Sequence, residues 1–294
     1  MTAIGVFCAR VRVEEKQIIG AIGAAGFVAV PVPPASTPLP PGPASSGGSM
    51  LGDLLGASIN GEQTTLSALV DRSSNRSVAA ATLPILRATG VATIDAGIAA
   101  TGSRIDVASA LSAAGIARPA TLVGFSEETS MAAATRLGYP AVLLGMQPGS
   151  STTVLHDADT ADAVIEHRVV LGSDGEAIVL IQAGAPAAEQ RSIVHVVGGR
   201  AIAFSGAVPG IRTISLAEAA ANALSASLVA VEIAMTDEGL VVWDVHPVAE
   251  FRQAVQIGDL TMADAVTQEI ALRVTLAPSV ALTGEVPRGY ALSA

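Results

Sequence analysis

The most chemically informative stretch of this sequence is LVAVEIAMTDEGLVVWDVHPVAEF, residues 228–251. Its pattern predicts two apolar β-strands joined by a turn at TDEG. Three ionisable side chains interrupt the pattern, Glu232 in the first strand and Asp244 and His246 in the second. Residues at positions i and i+2 share one face of a strand, so Asp244 and His246 point the same way. With the turn centred on DE, Glu232 lies opposite Asp244 or its neighbour.

Two neighbouring carboxylates on an apolar sheet repel each other and are costly to remove from water. A divalent cation would compensate both charges, because hard cations prefer carboxylate oxygens. The alternative is that Asp244 pairs with His246 or with an arginine, while Glu232 reaches solvent at the end of its strand. The spacing alone leaves both interpretations open.

The composition limits the class of protein. The chain has 294 residues, half of them apolar, and a net charge of −10. It can bury a large core in two or three domains, and it lacks the basic stripe of a nucleic-acid-binding protein. The single cysteine, Cys8, fits a reducing compartment, and no apolar run reaches the roughly 18 residues of a membrane span. We therefore expect a cytoplasmic protein that binds neither nucleic acid nor membrane.

The element pattern divides the chain into three sections. The opening strand, helix and strand predict a βαβ unit with a parallel sheet. A segment rich in Pro, Gly and Ser at 31–50 predicts an exposed loop. Later features are a helix capped by Ser126, a hairpin with a Gly-Gly turn, a helix that begins with a capping box at Ser215 and Glu218, and a terminal helix. We expect domains at 1–95, 96–185 and 186–294.

The order of these elements, and several stretches, resemble ATP-grasp ligases of the RimK/LysX type. The resemblance runs over most of the chain, from ARVRVEEK at residues 9–16 to the terminal helix, and includes NRSVAAA, GYPAVLL and HVVGGRAIAF. Its most specific part is the hairpin followed by AEF. The matching strands of the family carry an Asp or Glu and then Glu-x-Asn as magnesium ligands, positions that Glu232, Asp244 and His246 occupy here. Because imidazole replaces the amide, Mn²⁺ or Zn²⁺ are alternatives to Mg²⁺.

The resemblance implies an α/β and α+β fold, in which an N-terminal open α/β domain precedes two ATP-grasp subdomains with ATP between them. It also implies a carboxylate–amine ligase. ATP would phosphorylate a carboxylate, an amine would attack the acyl phosphate, and the metal would neutralise the phosphates. We expect such an enzyme to add an amino acid such as glutamate to a small molecule, cofactor or carrier, as a homo-oligomer or in a complex with a paralogue.

The sequence departs from the family at the nucleotide site. Family members place one lysine before the central subdomain and another on the strand ahead of a glycine-rich loop, and both reach phosphates. Here these positions hold Arg104 and Leu144, and Lys16 is the only lysine in the chain. The glycine-rich loop is reduced to QPGSSTT, in which Gly149 and the hydroxyls of Ser150 and Ser151 could contact phosphate, although a plain β-turn is the alternative.

Two further departures concern the walls of the nucleotide site. Ala183 replaces a hinge glutamate and Ile193 replaces an arginine of the next strand. Each lost charge-assisted contact costs about 1.5 to 3 kcal/mol, so two or three losses would weaken a micromolar site to roughly millimolar. The second functional hypothesis is therefore a catalytically degenerate relative that acts as a binding or partner subunit.

Three arginines are candidates for substrate binding. Arg10 and Arg12 follow the first strand, at the carboxyl edge where open α/β sheets bind ligands. Arg76 precedes a helix and could bind a carboxylate or phosphate there. For Arg10 and Arg12 the alternative is a plain helix N-terminus that carries acidic residues, and for Arg76 it is an ordinary surface arginine. Glu250, in AEF, matches a family position near the metal and is expected to support its ligands.

Overall fold

In the described part of the chain, three β-sheets of four or five strands follow one another, and a separate two-stranded pair accompanies the first. The computed structural model describes residues 2–33, 57–59, 62–64, 66–172 and 178–276. The loop predicted at 31–50 lies outside these residues beyond position 33, so its structure is not part of the description. The helices and strands mix in the α/β and α+β pattern that the resemblance implies, and the fold-class prediction is confirmed.

The N-terminal sheet is parallel, with strand order β2-β1-β5-β6, and β1 pairs with β2 as the predicted βαβ unit requires. β1 is buried throughout, and β5 is apolar except for Ser67 and Asp71, which is typical of a sheet covered on both faces. The elements of this section are β1 (Ala3–Phe7), α1 (Val13–Ala24), β2 (Val28–Val32), the antiparallel pair β3 (Ala57–Ile59) and β4 (Glu62–Thr64), β5 (Leu66–Asp71), α2 (Arg76–Ala88) and β6 (Ala92–Ile94).

The central sheet is antiparallel, with strand order β7-β10-β8-β9. The Ser126 side chain accepts a hydrogen bond from the backbone of Thr129, which confirms the predicted helix cap. The elements are α3 (Ile98–Thr101), α4 (Arg104–Ala113), β7 (Thr121–Gly124), α5 (Glu127–Leu137), β8 (Ala141–Leu144), β9 (Thr152–Leu155), α6 (Ala158–Leu171) and β10 (Val179–Ala183).

The C-terminal sheet has the order β14-β13-β11-β12-β15 and carries the chemically informative hairpin as β13 and β14. Its first hairpin turns at Gly198 and Gly199, both with positive φ, as the Gly-Gly pattern predicts. The elements are β11 (Arg191–Val197), β12 (Arg200–Gly206), α7 (Ile211–Ala223), β13 (Leu228–Thr236), β14 (Gly239–His246), β15 (Val255–Gln256) and α8 (Met262–Leu276). Among the described helices, none is long and apolar enough to cross a membrane.

The start of α7 was predicted wrongly. The helix begins at Ile211, so Ser215 lies inside it instead of capping it. The carboxylate of Glu218 accepts a hydrogen bond from the backbone of Ala201 on β12, at 2.9 Å. The Glu218 carboxylate, which the predicted capping box would have bonded to the helix N-terminus, is therefore bonded to β12 instead.

A buried ion pair fastens the N-terminal sheet to the loop that follows β14. Arg72, at the end of β5, and Glu15, in α1, are fully buried, and the Nε of Arg72 lies 3.0 Å from the Glu15 carboxylate. Arg72 also donates to the carbonyl of Ala249 and lies over the Phe251 ring, 5.4 Å from its centroid. This pair holds the end of the hairpin segment against the edge where Arg12 and Glu250 meet.

We expect Arg72→Met to lower the free energy of unfolding by about 2 to 4 kcal/mol. The buried Glu15 would keep only the partly exposed Arg12 as its cation, and the carbonyl of Ala249 would lose its donor. Urea denaturation at pH 7 measures the loss. The control is Arg136→Met, which removes an exposed arginine from the last turn of α5 and should cost less than about 1 kcal/mol. Equal small losses in both variants would contradict a fastening role for Arg72.

Candidate functional site

The predicted register of the hairpin is confirmed. Glu232 on β13 lies directly opposite Asp244 on β14, and His246 lies opposite Ala230. Side chains of directly opposed residues on one face are neighbours, with Cβ atoms roughly 4.5 to 5.5 Å apart. The structure thus brings the three predicted metal ligands onto one patch of the C-terminal sheet.

Asp244 is paired with Arg104, which the sequence placed near nucleotide. The capping box of Ser103 and Asp106 begins α4 and fixes Arg104 as its first residue. Its guanidinium binds Asp244 through two nitrogens, with Nε 3.2 Å from Oδ1 and Nη2 2.7 Å from Oδ2. Arg104 is only 4% exposed, so this is a buried two-point ion pair.

The remaining donors of Arg104 bind the loop between β8 and β9. Nη1 lies 2.6 Å from the carbonyl of Gly145 and 3.0 Å from the hydroxyl of Ser150, and Nη2 lies 3.2 Å from the carbonyl of Ser150. An arginine side chain has five N–H groups, and all five have partners within the chain. The predicted contact of Arg104 with phosphate is therefore not available in this arrangement. The residue clamps the loop to the hairpin instead.

Glu232 has two partners of its own. Nη1 of Arg191 and Nε2 of His246 each lie 2.8 Å from one of its oxygens. Burial lowers the pKa of His246, but the hydrogen bond to Glu232 and the charge of Asp244 outweigh burial, so the pKa is raised above its ordinary value. Sequence reasoning missed Arg191, because the pairing of β11 with β13 that brings it there joins strands distant in the sequence.

The cluster does not fit the predicted divalent cation. Among the described residues, no group of three or more His, Cys, Asp or Glu side chains is arranged to hold a metal ion. Every carboxylate oxygen of Glu232 and Asp244 already accepts from a protein donor, and two arginines balance the two acids. Of the two interpretations of these acids, the structure shows pairing with arginine, in place of a site formed by Glu232, Asp244 and His246.

Leu144 takes part in closing the space between the central and C-terminal sheets. It is 3% exposed and belongs to an apolar cluster with Trp243 of β14. The other buried members come from the same two sheets and are Val142, Leu180, Ala234 and Val241. The resemblance places ATP between these subdomains, with a lysine at position 144, yet here the region is a small hydrophobic core.

The shortened glycine-rich loop forms a β-turn. The backbone N–H of Ser150 donates to the carbonyl of Gln147 at 3.1 Å, and Gly149 has a φ of 77°, as a type II turn requires at its third residue. The Ser150 hydroxyl donates to Gln147 at 2.7 Å and accepts from Arg104. A Cβ on Gly149 would lie 3.1 Å from Pro247, so the turn is packed against the end of β14. Ser151 is exposed.

The arginines after β1 lie at the sheet edge where the sequence predicted them. Arg10 is exposed, and Arg12 forms ion pairs with Glu15 and with Glu250, the latter at 2.7 Å. Arg12 and Glu250 line an open groove of about 810 Å³. The salt-bridge partner of Glu250 is therefore Arg12, whereas the sequence predicted that Glu250 would support the residues of the hairpin.

Arg76 lines a separate cavity of about 380 Å³ next to the hairpin. Its guanidinium binds Asp71 at 2.8 Å and two backbone carbonyls, and its Nε has no partner among the described residues. His246 and the buried His195 line the same cavity. The cavity is thus lined by an arginine and two imidazoles.

Sequence reasoning treated His195 as an ordinary residue. It is 1% exposed, its Nε2 lies 3.3 Å from the Ser205 hydroxyl, and its Nδ1 has no partner among the described residues. Burial, with the charges of His246 and Arg72, lowers the pKa of His195 from 6.5 to about 4. It is therefore a neutral imidazole at pH 7. One signal in the sequence could have identified His195: the alternation of β11 places it on the same face of the strand as Arg191 and Ile193.

Comparison with known proteins gives matches in structure. The chain resembles a RimK-domain ATP-grasp protein from Sphaerobacter thermophilus DSM 20745, with 26% identity and a TM-score of 0.71 over 92% of this chain and all of that one. It also resembles the ATP-grasp ligase PsnB in complex with a minimal precursor, Mg and ADP (14%, TM-score 0.61, 92% and 98% of the two chains). No protein-family model and no curated protein matches the chain.

A third match is D-alanyl-alanine synthetase A from Vibrio cholerae O1, with 11% identity and a TM-score of 0.64 over 93% of this chain and 98% of that one. These matches cover both chains nearly end to end. The predicted recognition is confirmed: the chain has the fold of the ATP-grasp superfamily and is similar to its RimK-like members.

We expect Leu144→Lys to lower the free energy of unfolding by roughly 3 kcal/mol or more, because the ammonium group would enter an apolar cluster. Leu144→Met, which conserves volume, should cost less than about 1.5 kcal/mol. Chemical denaturation with and without ATP compares the variants. Wild-type stability for the lysine variant, or its rescue by ATP, would show that the cleft opens to solvent and admits nucleotide.

The neutral His195 predicts a pH dependence of stability. Its folded pKa is depressed, so its contribution is complete above the unfolded value of about 6.5 and is lost as the pH falls toward 4. Between pH 7 and pH 5, the wild-type chain should lose about 2 kcal/mol more than His195→Gln. The exposed His156→Gln is the control and should follow the wild type. Coincident curves for wild type and His195→Gln would refute the assignment.

Proposed function

We propose that this RimK-like protein is a catalytically degenerate ATP-grasp relative that acts as a binding or partner subunit. The observation that supports the proposal is the buried apolar cluster that contains Leu144 and Trp243 and joins the two subdomains. The family would use the space between these subdomains for nucleotide and position 144 for a cation.

The apolar cluster and the missing cation both lower the affinity for ATP. Separating Leu144 from Trp243 would expose apolar side chains whose burial contributes about 1.5 to 3 kcal/mol each. The missing cation costs a further 1.5 to 3 kcal/mol or so. Together these terms, about 4.5 to 9 kcal/mol, weaken binding by a factor of roughly 10³ to 10⁶, which moves a micromolar nucleotide site to millimolar or beyond.

The cavity beside Arg76 is the place where we propose that a ligand binds. Its volume of about 380 Å³ suits a small molecule. Arg76 and His246 offer positive charge for a carboxylate, Glu250 offers an acceptor for an amine, and Ile193 and Val248 provide an apolar wall. An amino acid such as glutamate matches this chemistry, so the proposed subunit binds the ligand without activating it.

An active ATP-dependent ligase is the second candidate. The full-length similarity to a RimK-domain ATP-grasp protein favours it, as does the retention of both acids, Glu232 and Asp244, at the positions of the family's ligands. This function would require that the central and C-terminal sheets separate, that Arg104 releases Asp244, and that magnesium enters. Homo-oligomer formation and pairing with a paralogue stay predictions for either candidate.

We expect isothermal titration of the wild-type chain with ATP and Mg²⁺ to give no saturable heat at nucleotide concentrations up to about 1 mM, given the affinity argued above. An ATP-grasp ligase that keeps both lysines serves as the positive control in the same buffer. Saturable binding in the micromolar range would overturn the degenerate assignment and favour the ligase. The same titration with glutamate should show saturable binding that Arg76→Gln weakens.

A further inference from the structure

The acids of the hairpin are matched by cations from distant parts of the chain. Arg104 comes from the start of α4, and Arg191 comes from β11. Each forms an ion pair with one acid, Arg104 with Asp244 at 2.7 Å and Arg191 with Glu232 at 2.8 Å. The patch therefore reaches formal neutrality between acids and arginines without a metal ion.

The five groups that bind the Arg104 guanidinium are all oxygen atoms. They are the two carboxylate oxygens of Asp244, the carbonyl oxygens of Gly145 and Ser150, and the hydroxyl oxygen of Ser150. Carboxylate, carbonyl and hydroxyl oxygens are also the ligands of hard divalent cations, and calcium accepts six to eight of them in irregular geometry. The guanidinium thus lies in a pocket lined by the kinds of oxygen atom that would coordinate a hard cation.

We propose that the Arg104 guanidinium is a built-in substitute for a divalent cation, and that its removal turns these oxygens into a latent cation site. The fixed charge of arginine keeps the pocket occupied at every physiological pH, since guanidinium is not deprotonated in proteins. A divalent ion added beside it would meet a positive group in a buried site and acids that are already paired. The wild-type chain is accordingly metal-independent at this hairpin.

The inference goes beyond the proposed function, because it concerns the cation and not the nucleotide or the ligand. Removing the side chain to Cβ takes away the cation that is hydrogen-bonded to Asp244, and Glu232 lies directly opposite on the neighbouring strand. The sheet holds both acids in register, so the oxygens stay close together when the guanidinium is gone. Gly145 and Ser150 are held on the other side by the turn that precedes β9.

The test is a titration with CaCl₂ or MnCl₂, followed by thermal unfolding and by calorimetry. Wild type and Arg104→Lys, which keeps the charge, should show no specific shift in Tm up to about 10 mM metal, ten times the weakest dissociation constants of natural calcium sites. Arg104→Ala should gain a saturable increase in Tm with a dissociation constant of roughly 0.1 to 1 mM. The double variant Arg104→Ala with Asp244→Asn should lose that increase.

Several results would overturn the inference. One is a metal-dependent Tm shift in the wild type that Asp244→Asn abolishes. Another is a folded Arg104→Ala chain that does not respond to either ion, or a response of Arg104→Lys equal to that of the alanine variant. If Arg104→Ala does not fold without metal, refolding in CaCl₂ supports the inference and failure to refold there refutes it. ATP binding by wild type without any metal response would overturn the proposed function alone.

Discussion

The buried ion pair of Arg104 and Asp244 is the interaction on which the site depends. Two acids lie side by side on neighbouring strands of the C-terminal sheet, an arrangement that is stable only with a positive partner. The chain provides two arginines and a protonatable imidazole, each within hydrogen-bond distance of an acid. Arg104 also binds the carbonyls of Gly145 and Ser150. The same guanidinium therefore neutralises Asp244 and fixes the loop of the central sheet against the C-terminal hairpin.

Polar and apolar contacts therefore close the same cleft from two sides. On one face of β14, Asp244 meets Arg104, and on the other Trp243 packs with Leu144. A lysine at position 144 would need an anion or water beside its ammonium group. A leucine is instead stabilised when its side chain is buried away from water. The replacement of a family lysine by leucine is thus accompanied by an apolar partner surface in the facing strand.

The region on the N-terminal side of the hairpin has a different character. The cavity lined by Arg76 and His246 remains open, and within the described part of the chain Nδ1 of the neutral His195 at its wall has no hydrogen-bond partner. The Glu15 and Arg72 pair holds the segment after β14 in place and so defines one side of this cavity. The cavity at Arg76 is therefore distinct from the apolar cluster that contains Leu144 and Trp243.

Local sequence determined much of the fold. The strand pairing of the first βαβ unit, the Gly-Gly turn and the opposition of Glu232 and Asp244 all follow from neighbouring residues, because a short turn fixes the register of its strands. The resemblance supplied the ATP-grasp fold. Only the tertiary structure decided which cation meets each acid, since Arg104 lies 140 residues from Asp244 and Arg191 lies 41 from Glu232. No periodicity encodes such contacts, and they arise only when separate sheets pack.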